Sequence, residues 1–291
     1  MHAPIPGARD SEGRIRNAMT IDVEDYFQVS AFAPTISRDT WPTIECRVEA
    51  NIDRILALLE STGVHATFFT LGWIAERYPA MVRRIVAGGH ELASHGYGHL
   101  RASDQTPDEF YQDISVSKTI LEDLGGKAVL GYRAPSFSIG TDNLWALDSL
   151  HQAGYKYSSS IYPIQHDHYG MPDAPRFAFY PNGPDSLLEL PVTTVRVMNK
   201  NLPAGGGGYF RLFPYQVSRW LLNRVNSVDQ QSGIFYFHPW ELDPGQPRQP
   251  NLSMKTSFRH YLNLDRTESR LRTLAGDFSW GRMDDIFLVK N

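Results

Sequence analysis

Residues 45–72 read "ECRVEANIDRILALLESTGVHATFFTLG", and two periodicities meet inside them. Val48, Ile52, Ile55, Leu56 and Leu59 recur at helical spacing, and Gly63 follows them as a helix stop. From His65 the stretch "HATFFTLG" is a short continuous apolar run, the pattern of a buried strand. Upstream, "NAMTIDV" (Asn17–Val23) reads as another strand. Strand, helix and strand in this order form the repeating unit of a parallel sheet.

The alternation continues outward. "IAERYPAMVRRIVAGG" (74–89) is a helical stretch in which Pro79 predicts a break or a new start, and "HELAS" (90–94) is the next strand. "TPDEFYQDISVSKTILEDLGG" (106–126) opens on a Thr cap and a Pro, carries acids in its first turn and closes on Gly125–Gly126. "AVLGYR" (128–133), "TDNLWALDSLHQAG" (141–154), "YKYSSS" (155–160), "SLLELPVT" (186–193), "PYQVSRWLLNRVN" (214–226) and "GIFYFHP" (233–239) extend the pattern. "TSFRHYLNLDRTESRLRTLAGDFSWGRMDDIFLVK" (256–290) reads as a helix and a final strand. A parallel α/β sheet follows, closed as a barrel or doubly wound. In a barrel, the chemistry collects at the C-terminal ends of the strands.

Composition narrows the function classes. At 291 residues with 42% hydrophobic content, the chain has ample material for one large core. A net charge of -4 without a basic block argues against nucleic-acid binding. The single cysteine, Cys46, excludes an internal disulfide framework. No window reads as a membrane span or a secretory signal, so the expectation is a cytoplasmic protein, or one peripheral to the inner membrane. Residues 1–16 are expected as a flexible lead-in, and 17–291 as a single domain whose C-terminal extension begins near 241.

Asp22, His95, Arg133 and His238 each fall at or just past the end of a predicted strand. Asp22, Glu24 and Asp25 crowd three carboxylates into "TIDVEDYF", and a nearby cation would keep them ionised; a solvated acidic loop is the competing reading. "HGYGH" sets His95 and His99 on one side of a turn, as two nitrogen donors to a transition metal would stand, although Gly96 and Gly98 also suit an ordinary loop. Two histidines and one carboxylate leave open coordination positions, the mark of a catalytic metal. In "GYRAPSF", Arg133 can bind and orient the Asp22 carboxylate, or form a structural ion pair. His238, ending "IFYFH", suits proton transfer near neutrality and equally suits a core position.

In this order the four motifs resemble the polysaccharide deacetylase superfamily, the chitin-deacetylase-like carbohydrate esterases, with an Asp-containing first motif, His-x-x-x-His, Arg-x-Pro and a late histidine. The resemblance covers residues 17 to 240. "DVEDYFQVSAF" (22–32), "GGGGYFR" (205–211) and "FHPWELDPGQP" (237–247) are further similar to deacetylases encoded with exopolysaccharide clusters in exosortase/PEP-CTERM systems. It implies a distorted (β/α) barrel of about seven parallel strands. The implied activity is metal-dependent removal of N-acetyl groups from an N-acetylhexosamine polysaccharide or oligosaccharide, releasing acetate, with zinc as the expected divalent ion. Asp22 matches the base, Arg133 its orienting partner, His238 the acid, and His95 and His99 the metal ligands. Glu24 or Asp25 supplies the carboxylate ligand, because Val23 interrupts the adjacent Asp pair common in the family. The Asp that often supports the acid histidine is missing from "YSSSIYP", where Ser158 takes its place, and Asp167 is a substitute candidate. Tyr26, Pro135, Tyr209 and Trp240 lie beside the motifs as expected sugar contacts, the aromatic ones by stacking. A cyclic-amide hydrolase of the same fold and an inactive polysaccharide-binding protein are the alternatives.

Overall fold

A computed structural model describes residues 7–166, 170–250 and 252–288. Its strands are β1 (Arg16–Val23), β2 (Thr67–Thr70), β3 (Glu91–Ser94), β4 (Gly131–Tyr132), β5 (Tyr157–Ser158), β6 (Leu188–Glu189), β7 (Thr194–Val197), β8 (Lys200–Pro203), β9 (Ile234–Phe237) and β10 (Ser279–Gly281). Its helices are α1 (Val48–Thr62), α2 (Gly72–Arg77), α3 (Pro79–Ala87), α4 (Pro107–Gly125), α5 (Trp145–Gln152), α6 (Gly207–Leu212), α7 (Tyr215–Arg224), α8 (Met254–Tyr261), α9 (Leu264–Asp277) and α10 (Met283–Phe287). No described helix is long and apolar enough to cross a membrane.

Seven parallel strands, β1 to β6 in sequence order plus β9, curl into the distorted barrel, and short β10 is an eighth. β9 and β10 share the free edge of β1: Ser279–Gly281 pair with Arg16–Ala18, and Ile234–Phe237 with Ala18–Ile21. The barrel is not closed by a ladder between β6 and β9. The segment 204–206 bridges that seam instead, with the Ala204 N–H donating to the Thr193 carbonyl and the Tyr236 N–H to the Gly205 carbonyl. This explains the glycines there. Gly206 has φ 110° and a Cβ on it would stand 2.1 Å from the Tyr236 oxygen, so backbone is packed on backbone.

The period of β1 sorts its side chains. Met19, Ile21 and Val23 point outward into the large core with Ile52, Ile55 and Leu59 of α1, while Ala18, Thr20 and Asp22 occupy the alternate positions. α1 ends on Gly63 in the left-handed conformation, and α4 begins with a Thr106–Glu109 capping box and Pro107. The expected break at Pro79 is the junction between α2 and α3. Two outcomes differ from expectation. The C-terminal stretch holds two helices before its strand, and a third, α10, after it. Residues 7–16 are docked rather than free: Ile15 is buried, the Ala8 N–H donates to Ser232 Oγ and Arg9 Nη2 donates to Gln230 Oε1.

Candidate active site

Parallel strands of one barrel bring their C-terminal ends to one face, so the turns after β1, β3, β4 and β9 converge. Asp22, the last residue but one of β1, is buried, with Oδ1 accepting from Arg133 Nη1 at 2.6 Å. Arg133, just past β4, is held on every side: Nη1 also donates to Thr20 Oγ1, Nε to the Ser159 carbonyl and Nη2 to Ser159 Oγ, and the guanidinium lies 4.1 Å over the Phe69 ring. It has little freedom to leave Asp22. Asp22 Oδ2 faces His238 Nε2 at 3.9 Å.

Glu24, His95 and His99 place one donor atom each within 4.8 Å of one another, and all three are buried. Burial alone would push the Glu24 carboxyl up, but His99, with His238 and His95 behind it, holds it well below the usual range. Its two oxygens have different surroundings. Oε1 accepts from the Trp240 indole N–H at 3.1 Å, whereas Oε2 stands 2.6 Å from His99 Nε2 with no aligned hydrogen-bond donor. The Nδ1–H of His95 donates to the Arg133 carbonyl at 2.8 Å, which leaves Nε2 with its lone pair, and burial pushes the ring's pKa down to about 4. An orphaned carboxylate oxygen beside two imidazoles, one of them kept neutral, fits a divalent transition metal.

Asp25, the alternative carboxylate, is committed elsewhere. Its oxygens accept the backbone N–H groups of Tyr26, Arg47 and Val48, so it caps the start of α1. Burial raises its pKa to about 6.

His238 follows β9, and its Nδ1–H donates to Glu241 at 2.6 Å. Burial lowers its pKa, but Glu241, Glu24 and Asp22 outweigh that and raise it to about 9. Glu241 is buried too, and burial would raise its pKa; Arg211, donating from Nε at 3.1 Å, and His238 hold it below its ordinary value. The partner of His238, the candidate acid, is therefore Glu241, a residue the motifs did not mark. Ser158 hydrogen-bonds Ser160 instead, and Asp167 lies outside the described residues. The i,i+3 spacing of His238 and Glu241 in "HPWE" was the available signal; the Arg211 partnership spans 30 residues and needed the fold.

The polysaccharide deacetylase family model matches residues 35–158, which include His95, His99 and Arg133, and a domain of unknown function, DUF3473, matches 159–288. Residues 35–158 belong to the polysaccharide deacetylase superfamily. It is similar to a peptidoglycan deacetylase of Helicobacter pylori, 34% identical over 115 residues that are 39% of this chain and 38% of that protein. It is also similar to a peptidoglycan-N-acetylglucosamine deacetylase of Bacillus cereus, 36% identical over 96 residues, or 33% and 35% of the two chains. The matched stretches thus span little more than a third of these relatives. A Mycobacterium smegmatis structure provisionally described as a polysaccharide deacetylase shares the fold, with TM-score 0.63 at 18% identity over 97% of this chain and 92% of that one.

The expected sugar contacts are placed unevenly around the barrel. Tyr26 and Pro135 are buried, and the Tyr26 ring packs at right angles to Phe27. Tyr209 is half-buried on α6 near Phe213. Trp240 is only 5% exposed, and its ring is stacked between His238 and His260.

Proposed function

We propose that the protein removes N-acetyl groups from an N-acetylhexosamine glycan by metal-dependent amide hydrolysis. The observation that carries this reading is the convergence of Glu24, His95 and His99 with Asp22 and His238 at one end of the barrel. Glu24, His95 and His99 would hold a divalent ion, zinc being our choice, to lower the pKa of water and polarise the acetyl carbonyl.

The chain's own groups divide the proton work. Asp22, fixed by Arg133, would take the proton of the attacking water. His238, held through Nδ1 by Glu241, whose charge favours the protonated ring, would give a proton from Nε2 to the leaving amine. The similarity to proteins named as peptidoglycan deacetylases supports the substrate class. Similarity in "FHPWELDPGQP" and "GGGGYFR" supports a role in exopolysaccharide synthesis. Residues 17–288 act as one catalytic unit, because β9 and β10 complete the sheet begun by β1.

The test is metal content and acetate release from N-acetylglucosamine oligomers, compared between the wild type and His95→Ala/His99→Ala. Loss of both in the double variant is expected. A wild type that stays metal-free after reconstitution would refute the metal mechanism.

A further inference from the structure

The Glu24 carboxylate is not free to turn. Its Oε1 is held by the Trp240 indole N–H at 3.1 Å, and this leaves Oε2 as the oxygen facing His99. A ligating carboxylate with one oxygen tied in this way presents the other in a single orientation, as outer hydrogen bonds do at metal sites. The indole is itself clamped. One face stacks on His238, with centroids 5.1 Å apart and planes 18° apart; His260 of α8 stacks at 4.3 Å and 13°.

The clamp has its own fixtures. His260 is buried, and burial with the nearby Arg211 charge pushes its pKa down to about 3, so the ring is neutral. Its Nε2–H donates to Gln246 Oε1 at 2.7 Å, and Gln246 Nε2 donates back to the Trp240 carbonyl at 2.8 Å. Arg211 Nη1 donates to the carbonyls of His260 and Leu262 while its Nε holds Glu241. One buried network therefore reaches both the Glu24 carboxylate and the His238 ring.

We infer that Trp240 is a positioning residue of the metal centre, kept in place by the His260 ring, so that the region matched as a domain of unknown function sets the geometry of a ligand from the turn after β1. Sugar stacking is not its task. The inference rests on the metal reading above, and the experiment separates the two.

Zn2+ and Co2+ affinities would be measured by competition with a chromophoric chelator, together with the Co2+ visible spectrum, on wild type, Glu24→Gln, Trp240→Phe, His260→Ala and His260→Phe. Trp240→Phe keeps an aromatic ring and removes the N–H together with the five-membered part of the indole, and thermal melts of the metal-free proteins check that the fold survives the lost volume. Affinity should fall about 10–100-fold in Trp240→Phe. It should fall about tenfold in His260→Ala and return to within about threefold of wild type in His260→Phe, which restores a ring but not the Gln246 bond. Metal binding lost in Glu24→Gln but unchanged in Trp240→Phe, or equally weak binding in both His260 variants, would overturn this inference and leave the metal reading standing. A wild type that binds neither ion, and so matches Glu24→Gln, would overturn both.

Discussion

At the scale of single residues, the division of labour rests on environment more than residue type. Asp22, Glu24 and Asp25 are carboxylates within four positions, yet one is bound to Arg133, one faces two imidazoles and one caps a helix. Asp22→Asn should reduce turnover by about a hundredfold or more. It should also lower the melting temperature, because the buried Arg133 loses its anion. Steady-state kinetics beside a thermal melt would show both. His238 gives a pH dependence with a definite sign. A raised pKa means that the proton-donating form persists to about pH 9 and is lost above it. A cation at Glu24 opposes this elevation, so the alkaline limb of kcat belongs at or below that value. Glu241→Gln removes the principal raising partner, so the limb should shift to lower pH and kcat should fall about tenfold or more. An unmoved limb would show that Glu241 does not act on His238. Asp22, the histidine pair, Arg133 and His238 were legible because each stands in a short motif at or just past a strand end. Glu241 was not, because an acid three residues past His238 resembles any polar loop residue until the Arg211 contact is seen.

At the scale of elements, Asp25 and Gly206 show what the periodic patterns could and could not reveal. The helices over 48–62 and 107–125 were readable from apolar spacing with Gly and Thr-Pro punctuation. β4, β5 and β6 are two residues long each, too short for a period to register, and short apolar runs were their only signal. The glycine run at 205–208 looked equally suited to a ligand loop or a crossing; its use at the barrel seam depends on β9, nearly thirty residues on. Gly206→Ala should destabilise the protein by roughly 1–3 kcal/mol in urea unfolding, since the new Cβ meets the Tyr236 backbone at a positive φ. Asp25→Ala should also lose about 1–3 kcal/mol through the uncapped start of α1, with metal affinity unchanged. Glu24→Gln should do the reverse, and stability measured beside metal titration decides between the two carboxylates.

At the scale of the molecule, the boundary at 158/159 between the two family matches does not separate two structures. β1, which precedes the first match, pairs with β2 on one edge and with β9 and β10 on the other, so the N-terminal strand is sandwiched by both regions. The site is divided in the same way: Asp22 and Glu24 come from β1 and the turn after it, His95, His99 and Arg133 from the first match, and His238, Glu241 and Arg211 from the second. Shared strands and a shared buried site couple the unfolding of the halves. Urea unfolding followed by far-UV circular dichroism and by tryptophan fluorescence should therefore give one coincident transition. On the proposed reading Glu24, His95 and His99 would hold Zn2+ only in the folded arrangement, so saturating ion should displace that whole transition upward, by about 2.7 kcal/mol at a hundred times its dissociation constant. The His95→Ala/His99→Ala protein should unfold in a single step without responding to the ion. Two separated transitions, with only the first moved by Zn2+, would show that residues 159–288 fold independently of the metal centre despite their strands in the same sheet.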